Sequence, residues 1–123
     1  MATVRYLVND VDAALPFYAA LGFTVVERWG PPFVMLAHGD NLTLWLSGPG
    51  TSASKPLADG AIPSPGGWNR LVIEVADIRA AMQALHTTGA KFRSEPVAGP
   101  GGQQVLVEDP SGNPIELFQP GGG

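Results

Sequence analysis

Few residues of this chain have a type and spacing suited to making or breaking bonds. Cysteine is absent, which excludes disulfides and thiolate chemistry. His38 is predicted to lie in a turn and His86 on a helix, and neither has a partner at a metal-ligand spacing. Gly99–Gly102 lacks the strand-to-helix context of a phosphate-binding loop. No nucleophile, base and orienting residue occur together, so nucleophilic catalysis is not predicted.

Charge and hydropathy disfavour two classes of partner. The net charge is −4, and the seven Lys and Arg residues form no cluster of the kind that tracks a phosphate backbone. No apolar run reaches about 18 residues, the length needed to cross a membrane. Met1 leads into a predicted strand and not into a signal segment. We therefore expect a cytoplasmic protein without nucleic-acid or membrane partners.

The chain contains two copies of one strand–helix–strand pattern, and these two copies must position the side chains of any functional site. Val8–Leu15 matches Val75–Met82, which lies 67 positions further along, and at the same shift Leu21–Phe23 matches Thr88–Ala90. Each copy has a strand, an Asp that can cap a helix, an amphipathic segment and a Gly that can end it. Such self-similarity predicts a fold in which one supersecondary unit is used twice.

The first unit is predicted to have the order β-α-β-β-β within residues 1–47. Its helix runs from the cap Asp10 to Leu21, with a kink or a late start caused by Pro16. Its strands are identified by alternating polarity or by β-branched and aromatic residues, at 3–8, 23–29, 33–37 and 42–47. Residues 48–67 are rich in Gly, Pro, Ser and Ala, and we expect a linker that could act as a lid.

The second unit, predicted for residues 68–119, repeats this order. Its helix runs from Asp77 to Thr88, and its strands are predicted at 69–75, 91–97, 103–107 and 114–118. Asp109–Gly112 has the residues of a type I turn, and residues 121–123 are expected to be a disordered tail. We predict one α+β domain over residues 1–120, in which two βαβββ repeats form curled, barrel-like mixed sheets around a cleft.

Two parts of the sequence together resemble the vicinal oxygen chelate superfamily. One is Val8–Asp10 followed by Phe17-Tyr18 and Leu21–Phe23, and the other is Glu108–Leu117, with the sequence EDPSGNPIEL. That superfamily includes glyoxalases, extradiol dioxygenases, fosfomycin-resistance enzymes and bleomycin-resistance proteins. The resemblance covers essentially the whole chain, and it implies a homodimer.

The resemblance also implies a divalent-metal site formed by the first and fourth strands of each unit. The internal repeat gives the four equivalent positions as Thr3, Thr43, Arg70 and Glu116. A neutral hydroxyl is a poor ligand for such metals, and a guanidinium has no lone pair to donate. We therefore expect no metal and no cofactor, and we expect Arg70 to pair with Glu116.

If those four positions point inward, strand alternation turns further side chains into the predicted cavity. These are Arg5, Trp45, Val72, Glu74 and Phe118. Its rim is expected to contain Trp29, Met35 and Trp68. Such a lining suits a planar or aromatic ligand with a few polar substituents. As alternatives, Trp45 and Phe118 could be core residues, and Arg70 with Glu116 a structural ion pair.

Three functions agree with these features. The favoured one is a metal-free binding protein that sequesters an aromatic or hydrophobic small molecule such as an antibiotic, as in the bleomycin-resistance branch. The second is a metal-dependent lyase, transferase or dioxygenase in which Glu116 is joined by neighbouring ligands, drawn from Asn69, Glu74, Glu27, Asp40 and His38. The third is a metal-independent isomerase or cyclase with Glu116 or Glu74 as base and Arg70 holding an enolate.

Overall fold

The computed structural model describes residues 2–121 and consists of two mixed sheets with one helix packed on each. The first unit contains β1 (Val4–Leu7), α1 (Val11–Ala20), β2 (Thr24–Trp29), β3 (Phe33–His38) and β4 (Leu42–Ser47). The second contains β5 (Leu71–Glu74), α2 (Ile78–His86), β6 (Lys91–Phe92), β7 (Val97–Gly99), β8 (Gly102–Glu108) and β9 (Pro114–Pro120). The predicted α+β class with two curled mixed sheets is confirmed.

Both sheets have the same strand order, which follows from the sequence repeat. The first sheet is ordered β1-β4-β3-β2, and the second is β5-β9-β8-β6 with β7 also paired to β8. In each sheet the first strand of the unit runs parallel to the last strand, and the other pairs are antiparallel. No helix among residues 2–121 is long and apolar enough to cross a membrane.

The two helices begin and end where the sequence predicts. Asp10 accepts hydrogen bonds from the backbone N–H groups of Asp12 and Ala13, and its twin Asp77 accepts them from Arg79 and Ala80. Gly22 and Gly89 follow the helices with φ values of +92° and +78°, a conformation that favours glycine. The repeat therefore identified the caps of both helices correctly.

One strand prediction is wrong, and one of the two outcomes expected from Pro16 does not occur. The helix α1 starts at Val11 with Pro16 inside it, so it has no late start. Pro16 is tolerated because the carbonyl that would accept its missing N–H belongs to Asp12, an exposed residue that water can reach. The predicted strand 91–97 is split into β6 and β7, because Pro96 lacks the N–H that a continuous ladder requires.

One side of each sheet packs against its helix, and the two layers form a single core. The buried set includes Leu44 and Leu46 from the first sheet, Ile115 and Leu117 from the second, and Phe17 from α1. Because side chains alternate along a strand, every second side chain points to the opposite side of its sheet, on which neither α1 nor α2 packs. The side chains on these two helix-free faces are the ones able to form a binding site.

The turn Asp109–Gly112 joins the two units through buried hydrogen bonds. Asp109 is 3% exposed, and its carboxylate accepts from the Tyr18 hydroxyl at 2.7 Å and from the backbone N–H groups of Ser111 and Asn113 at 2.9 Å. The Asn113 amide donates to the carbonyl of Leu7 at 2.7 Å and to Asp109 at 3.0 Å. The segment that carries much of the family resemblance is thus a structural junction.

Tyr6 makes a second link between the units. Its hydroxyl donates to the Pro114 carbonyl at 3.1 Å and accepts from the backbone N–H of Leu71 at 3.0 Å. The edge of β1 is therefore attached to β5 and to β9.

Of residues 121–123, Gly121 donates to the Gly101 carbonyl at 3.0 Å. The tail prediction for 122 and 123 lies outside the described residues.

The buried Tyr18 gives the fold a predictable sensitivity to high pH. Burial, and next the nearby Asp109 carboxylate, raise the pKa of Tyr18 well above its ordinary value. Above about pH 10 the unfolded chain releases this proton and the folded chain keeps it, so the free energy of unfolding falls by up to about 1.4 kcal/mol per pH unit. We expect Tyr18→Phe to flatten this decline, as measured by urea unfolding from about pH 9 to about pH 11.

Tyr6→Phe is the matched control. Burial also raises the pKa of Tyr6, but Tyr6 is only partly buried, whereas Tyr18 is fully buried. Its removal should flatten the alkaline decline less than removal of the Tyr18 hydroxyl. An identical alkaline slope in the wild type and in Tyr18→Phe would contradict the assignment.

Candidate functional site

The helix-free face of the first sheet presents aromatic and polar side chains side by side. Arg5 on β1 lies opposite Trp45 on β4, which in turn lies opposite Met35 on β3. Phe33 lies opposite Ser47 in the same register. These five residues alternate with the buried leucines and valines of the core, so alternation alone places them on one surface.

This surface contains a cavity of about 410 Å³, within the usual size range of small-molecule sites. Its wall includes Arg5, Trp29, Met35 and Trp45 from the predicted set. It also includes residues that the sequence analysis did not single out, namely Pro32, Phe33, Ser47, Thr51, Ser52 and Ala53. The first unit and the start of the 48–67 segment therefore form this cavity together.

Three aromatic rings follow one another along the cavity wall. The ring centroids of Trp29 and Phe33 are 6.3 Å apart with an interplanar angle of 66°, and those of Phe33 and Trp45 are 5.6 Å apart at 79°. These edge-to-face contacts are favourable and hold the rings in defined orientations. Trp29 remains 62% exposed, so much of its apolar surface is open to a ligand.

Two polar groups interrupt the apolar wall. The guanidinium carbon of Arg5 lies 5.2 Å from the centroid of the Trp45 ring, a cation–π distance. Ser47 is 1% exposed, and its hydroxyl oxygen is the buried side-chain polar atom that has no hydrogen-bond partner within residues 2–121. A buried hydroxyl without a partner costs about 1–3 kcal/mol, so this wall has an unused hydrogen-bonding group.

The remaining predicted site residues do not line this cavity. Glu74, Glu116 and Phe118 are on the second sheet, where Glu74 lies opposite Phe118, and Arg70 directly precedes β5 of that sheet. On the first sheet, Thr43 is on β4 outside the wall. Trp68 stacks on the Arg93 guanidinium at 4.7 Å. The predicted set is thus divided between the two units, and its role in ligand binding remains a prediction.

Arg70 and Glu116 form the ion pair expected from the sequence. The Nε and Nη2 atoms of Arg70 donate to Oε1 of Glu116 at 3.1 and 3.0 Å. Glu116 is only 8% exposed, and Val72 is its neighbour across the strand pair. A carboxylate this deeply buried requires such a partner, because an isolated charge in that position is costly.

The side chains at the positions equivalent to family metal ligands do not fit a divalent metal. They supply the hydroxyls of Thr3 and Thr43, the Arg70 guanidinium and a Glu116 carboxylate already bound to that guanidinium. Across residues 2–121, no three His, Asp or Glu side chains are grouped closely enough to hold a metal ion. Glu27 lies on the helix-free face opposite Met35 and is exposed, away from Glu116.

His38 has a structural position that the sequence analysis missed. It is the last residue of β3, not part of a turn, and its Nε2 lies 3.1 Å from the Leu21 carbonyl at the end of α1. Its ring packs on Phe23 with centroids 4.9 Å apart. These contacts place His38 on the core side of the sheet, where it cannot join a ligand set on the opposite face.

Strand alternation was sufficient to find two of the missed cavity residues. Phe33 is two residues before Met35, and Ser47 is two residues after Trp45 on a strand whose bounds were predicted correctly. No strand alternation indicates that Thr51–Ala53 lines the cavity. These residues overlap the short 3₁₀ helix Ser52–Ser54, and tertiary contacts decide the position of that helix at the cavity.

The Arg70–Glu116 pair can be tested by removing its partners one at a time. Arg70→Leu leaves the Glu116 carboxylate buried without a counter-charge, so we expect a loss of about 2 kcal/mol in the free energy of unfolding, reduced from the fully buried case by the exposure of Arg70. The double change Arg70→Leu with Glu116→Leu should recover most of this loss. Urea unfolding measures both.

Arg28→Leu is the matched control, because Arg28 forms an ion pair with Asp12 at 2.8 Å on the surface. Solvent screens that pair, so its removal should change stability little. If the double variant were as unstable as Arg70→Leu alone, the unpaired Glu116 carboxylate would not be the cause of the lost stability.

Comparison with known proteins places this arrangement in a family. Residues 1–117 match the model of the Glyoxalase/Bleomycin resistance protein/Dioxygenase superfamily. An uncharacterized protein of Mycolicibacterium smegmatis is 29% identical over 112 residues, which cover 91% of this chain and 86% of the relative.

Solved structures show the same fold. A glyoxalase-related enzyme from Fulvimarina pelagi superposes with a TM-score of 0.78 at 22% identity, covering 97% of this chain and 86% of that one. TnmS3, an antibiotic binding protein from Streptomyces sp. CB03234, superposes with a TM-score of 0.67 at 24% identity, covering 98% and 97%. The family match over nearly the whole sequence, together with this shared fold, shows that the chain belongs to the glyoxalase, bleomycin resistance protein and dioxygenase superfamily.

Proposed function

We propose that this protein is a metal-free binding protein that sequesters an aromatic small molecule, with antibiotic resistance as its role. The observation that carries the proposal is the cavity on the first sheet, whose wall contains Trp29, Phe33 and Trp45. An aromatic ligand placed there gains from burial of its apolar surface, at about 25 cal/mol per Å². Each well-oriented aromatic pair adds about 0.5–1.5 kcal/mol.

The chemistry of the site supports binding over metal-dependent catalysis. The positions where the superfamily enzymes hold a metal carry an ion pair and two hydroxyls in this chain. The described antibiotic-binding role of TnmS3 is compatible with the same fold, although that likeness by itself concerns the fold alone. The cytoplasmic location expected from the sequence remains a prediction.

Titration of the protein with a panel of planar aromatic drugs tests this function. We expect bound compounds to quench Trp emission and raise the melting temperature. Trp45→Leu should weaken binding at least about tenfold, because it removes a ring from the cavity wall along with its edge contact to Phe33. Trp68→Leu is the matched control, since Trp68 stacks on Arg93 outside the cavity.

Two results would count against the proposal. One is unchanged emission and melting temperature across the whole panel. The other is stoichiometric Zn, Ni, Fe or Mn in elemental analysis of the purified protein, which would favour the metal-dependent alternative. Equal affinity of the wild type and Trp45→Leu for a bound drug would place its site elsewhere.

We also propose that the protein acts as a homodimer. Large apolar side chains outside the cavity wall remain exposed on both sheets, among them Val26 at 62% on β2 and Val72 at 54% on β5. A second copy would cover such surface, which single chains rarely leave open over a wide area. Sedimentation equilibrium is expected to give twice the mass of one chain, and the mass of a single chain across the concentration range would contradict the dimer.

A further inference from the structure

The cavity has a single ionisable side chain in its wall, and that side chain is a cation. Among the residues of the described range 2–121 that line it, Arg5 is the only Lys, Arg, His, Asp or Glu. The three ion pairs within residues 2–121 involve Arg28, Arg70 and Arg93, so none of them neutralises Arg5. The Arg5 guanidinium contacts the face of the Trp45 ring, which orients it at the cavity.

Arg5 is exposed, and a ligand seated on the Trp45 ring beside it displaces part of the water around the guanidinium. Burying a guanidinium without an anionic partner is unfavourable, and burying it against a carboxylate replaces the lost hydration with charge-assisted hydrogen bonds. A neutral aromatic ligand would bear the desolvation cost without that gain. A cationic ligand would add repulsion. The same cavity therefore discriminates among aromatic ligands by their charge.

The rest of the protein does not attract anions in a general way. The net charge is −4, so the average field over the surface repels a negatively charged ligand. Any preference for an acid at this site must come from local contacts. Ser47 strengthens this local polarity, since it lies on the same strand face as Trp45, about 7 Å further along β4, with an unused hydroxyl.

We propose that the ligand of this cavity is an aromatic acid, a planar ring system whose carboxylate binds the Arg5 guanidinium. The ring system lies among Trp29, Phe33 and Trp45, and the guanidinium stays stacked on Trp45 while its free N–H groups donate to the carboxylate. This inference rests on the proposed function and names the ligand class that the site selects.

The alternative role of Arg5 is structural. In that case its aliphatic stem and guanidinium only cover the Trp45 ring, and the charge has no effect on ligand choice. The two roles differ in one measurable property. A structural Arg5 affects acids and neutral analogues of the same shape equally, and an anion-binding Arg5 affects the acid alone.

Isothermal titration with 2-naphthoate and with 2-naphthamide distinguishes these roles, because the two probes share ring size and differ in charge. We expect the acid to bind about tenfold more tightly than the amide, a difference of about 1.4 kcal/mol. Arg5→Met keeps a long apolar side chain and removes the charge, so it should reduce the difference between acid and amide to less than about twofold, chiefly by weakening the binding of the acid.

Two further variants control for folding and for net charge. Arg5→Lys keeps the charge and should retain a preference for the acid. Arg79→Met removes one positive charge from an exposed position of α2, outside the cavity, and should leave both affinities unchanged. Melting temperatures of all variants show whether a lost affinity comes from lost structure.

The outcomes separate this inference from the proposed function. If neither probe binds and a drug of the aromatic panel does, the aromatic-acid inference is overturned and the proposed function holds; if the panel also fails to bind, both are overturned. If acid and amide bind equally and Trp45→Leu weakens both, the aromatic-binding function holds and the aromatic-acid inference is overturned. A preference for the acid that survives Arg5→Met, or that disappears equally in Arg79→Met, also overturns it.

Discussion

The Asp109 carboxylate is the interaction on which the arrangement of the two units depends. It is almost fully buried and accepts four hydrogen bonds, from the Tyr18 hydroxyl, from the backbone of Ser111 and from both the backbone and the side chain of Asn113. A buried carboxylate is stable only when its oxygens are satisfied in this way. Because the donors come from α1 and from the turn before β9, satisfying the charge fixes one unit against the other.

Asn113 extends the same constraint to the segment between the units. Its side-chain amide nitrogen donates to the Leu7 carbonyl, and its oxygen accepts from the backbone N–H of Gly66 at 2.8 Å. Arg93 holds the neighbouring residues through the Gly67 and Gly112 carbonyls, both at 3.0 Å. The junction therefore positions the end of β1 and the end of the linker together, and through β1 it positions Arg5 at the cavity.

The two helix-free faces share the strand order of the repeat and differ in the chemistry of their side chains. At equivalent strand positions, the first face carries Thr43 and Trp45 where the second carries Glu116 and Phe118. The first face became an aromatic cavity with one cation. The second became a surface on which a buried carboxylate is neutralised by Arg70. Two of the four positions that the repeat predicts as equivalents of metal ligands therefore hold an ion pair in this chain.

The sequence predicted the β-α-β-β-β order of elements along each unit, both Asp caps and the glycine ends of the helices, because each depends on residues close together in the chain. It also predicted the Arg70–Glu116 contact, because the repeat placed both residues at equivalents of the family's metal-ligand positions, where a guanidinium and a carboxylate attract each other. It left open whether Pro16 would delay the start of α1, and it did not predict that strand 91–97 is interrupted, because these outcomes depend on solvent exposure and on a single missing donor.

Alternation along the strands determined which side chains leave the core, and therefore which chemical groups this protein can offer to a ligand. Only the tertiary structure decided which of those groups meet. Arg5, Trp29, Met35 and Trp45 share a wall with Thr51–Ala53, and the second sheet contributes none of its predicted residues to it. The reason is that a cavity is formed by the curvature of a sheet and by a segment packed at its end, and a local residue pattern contains neither.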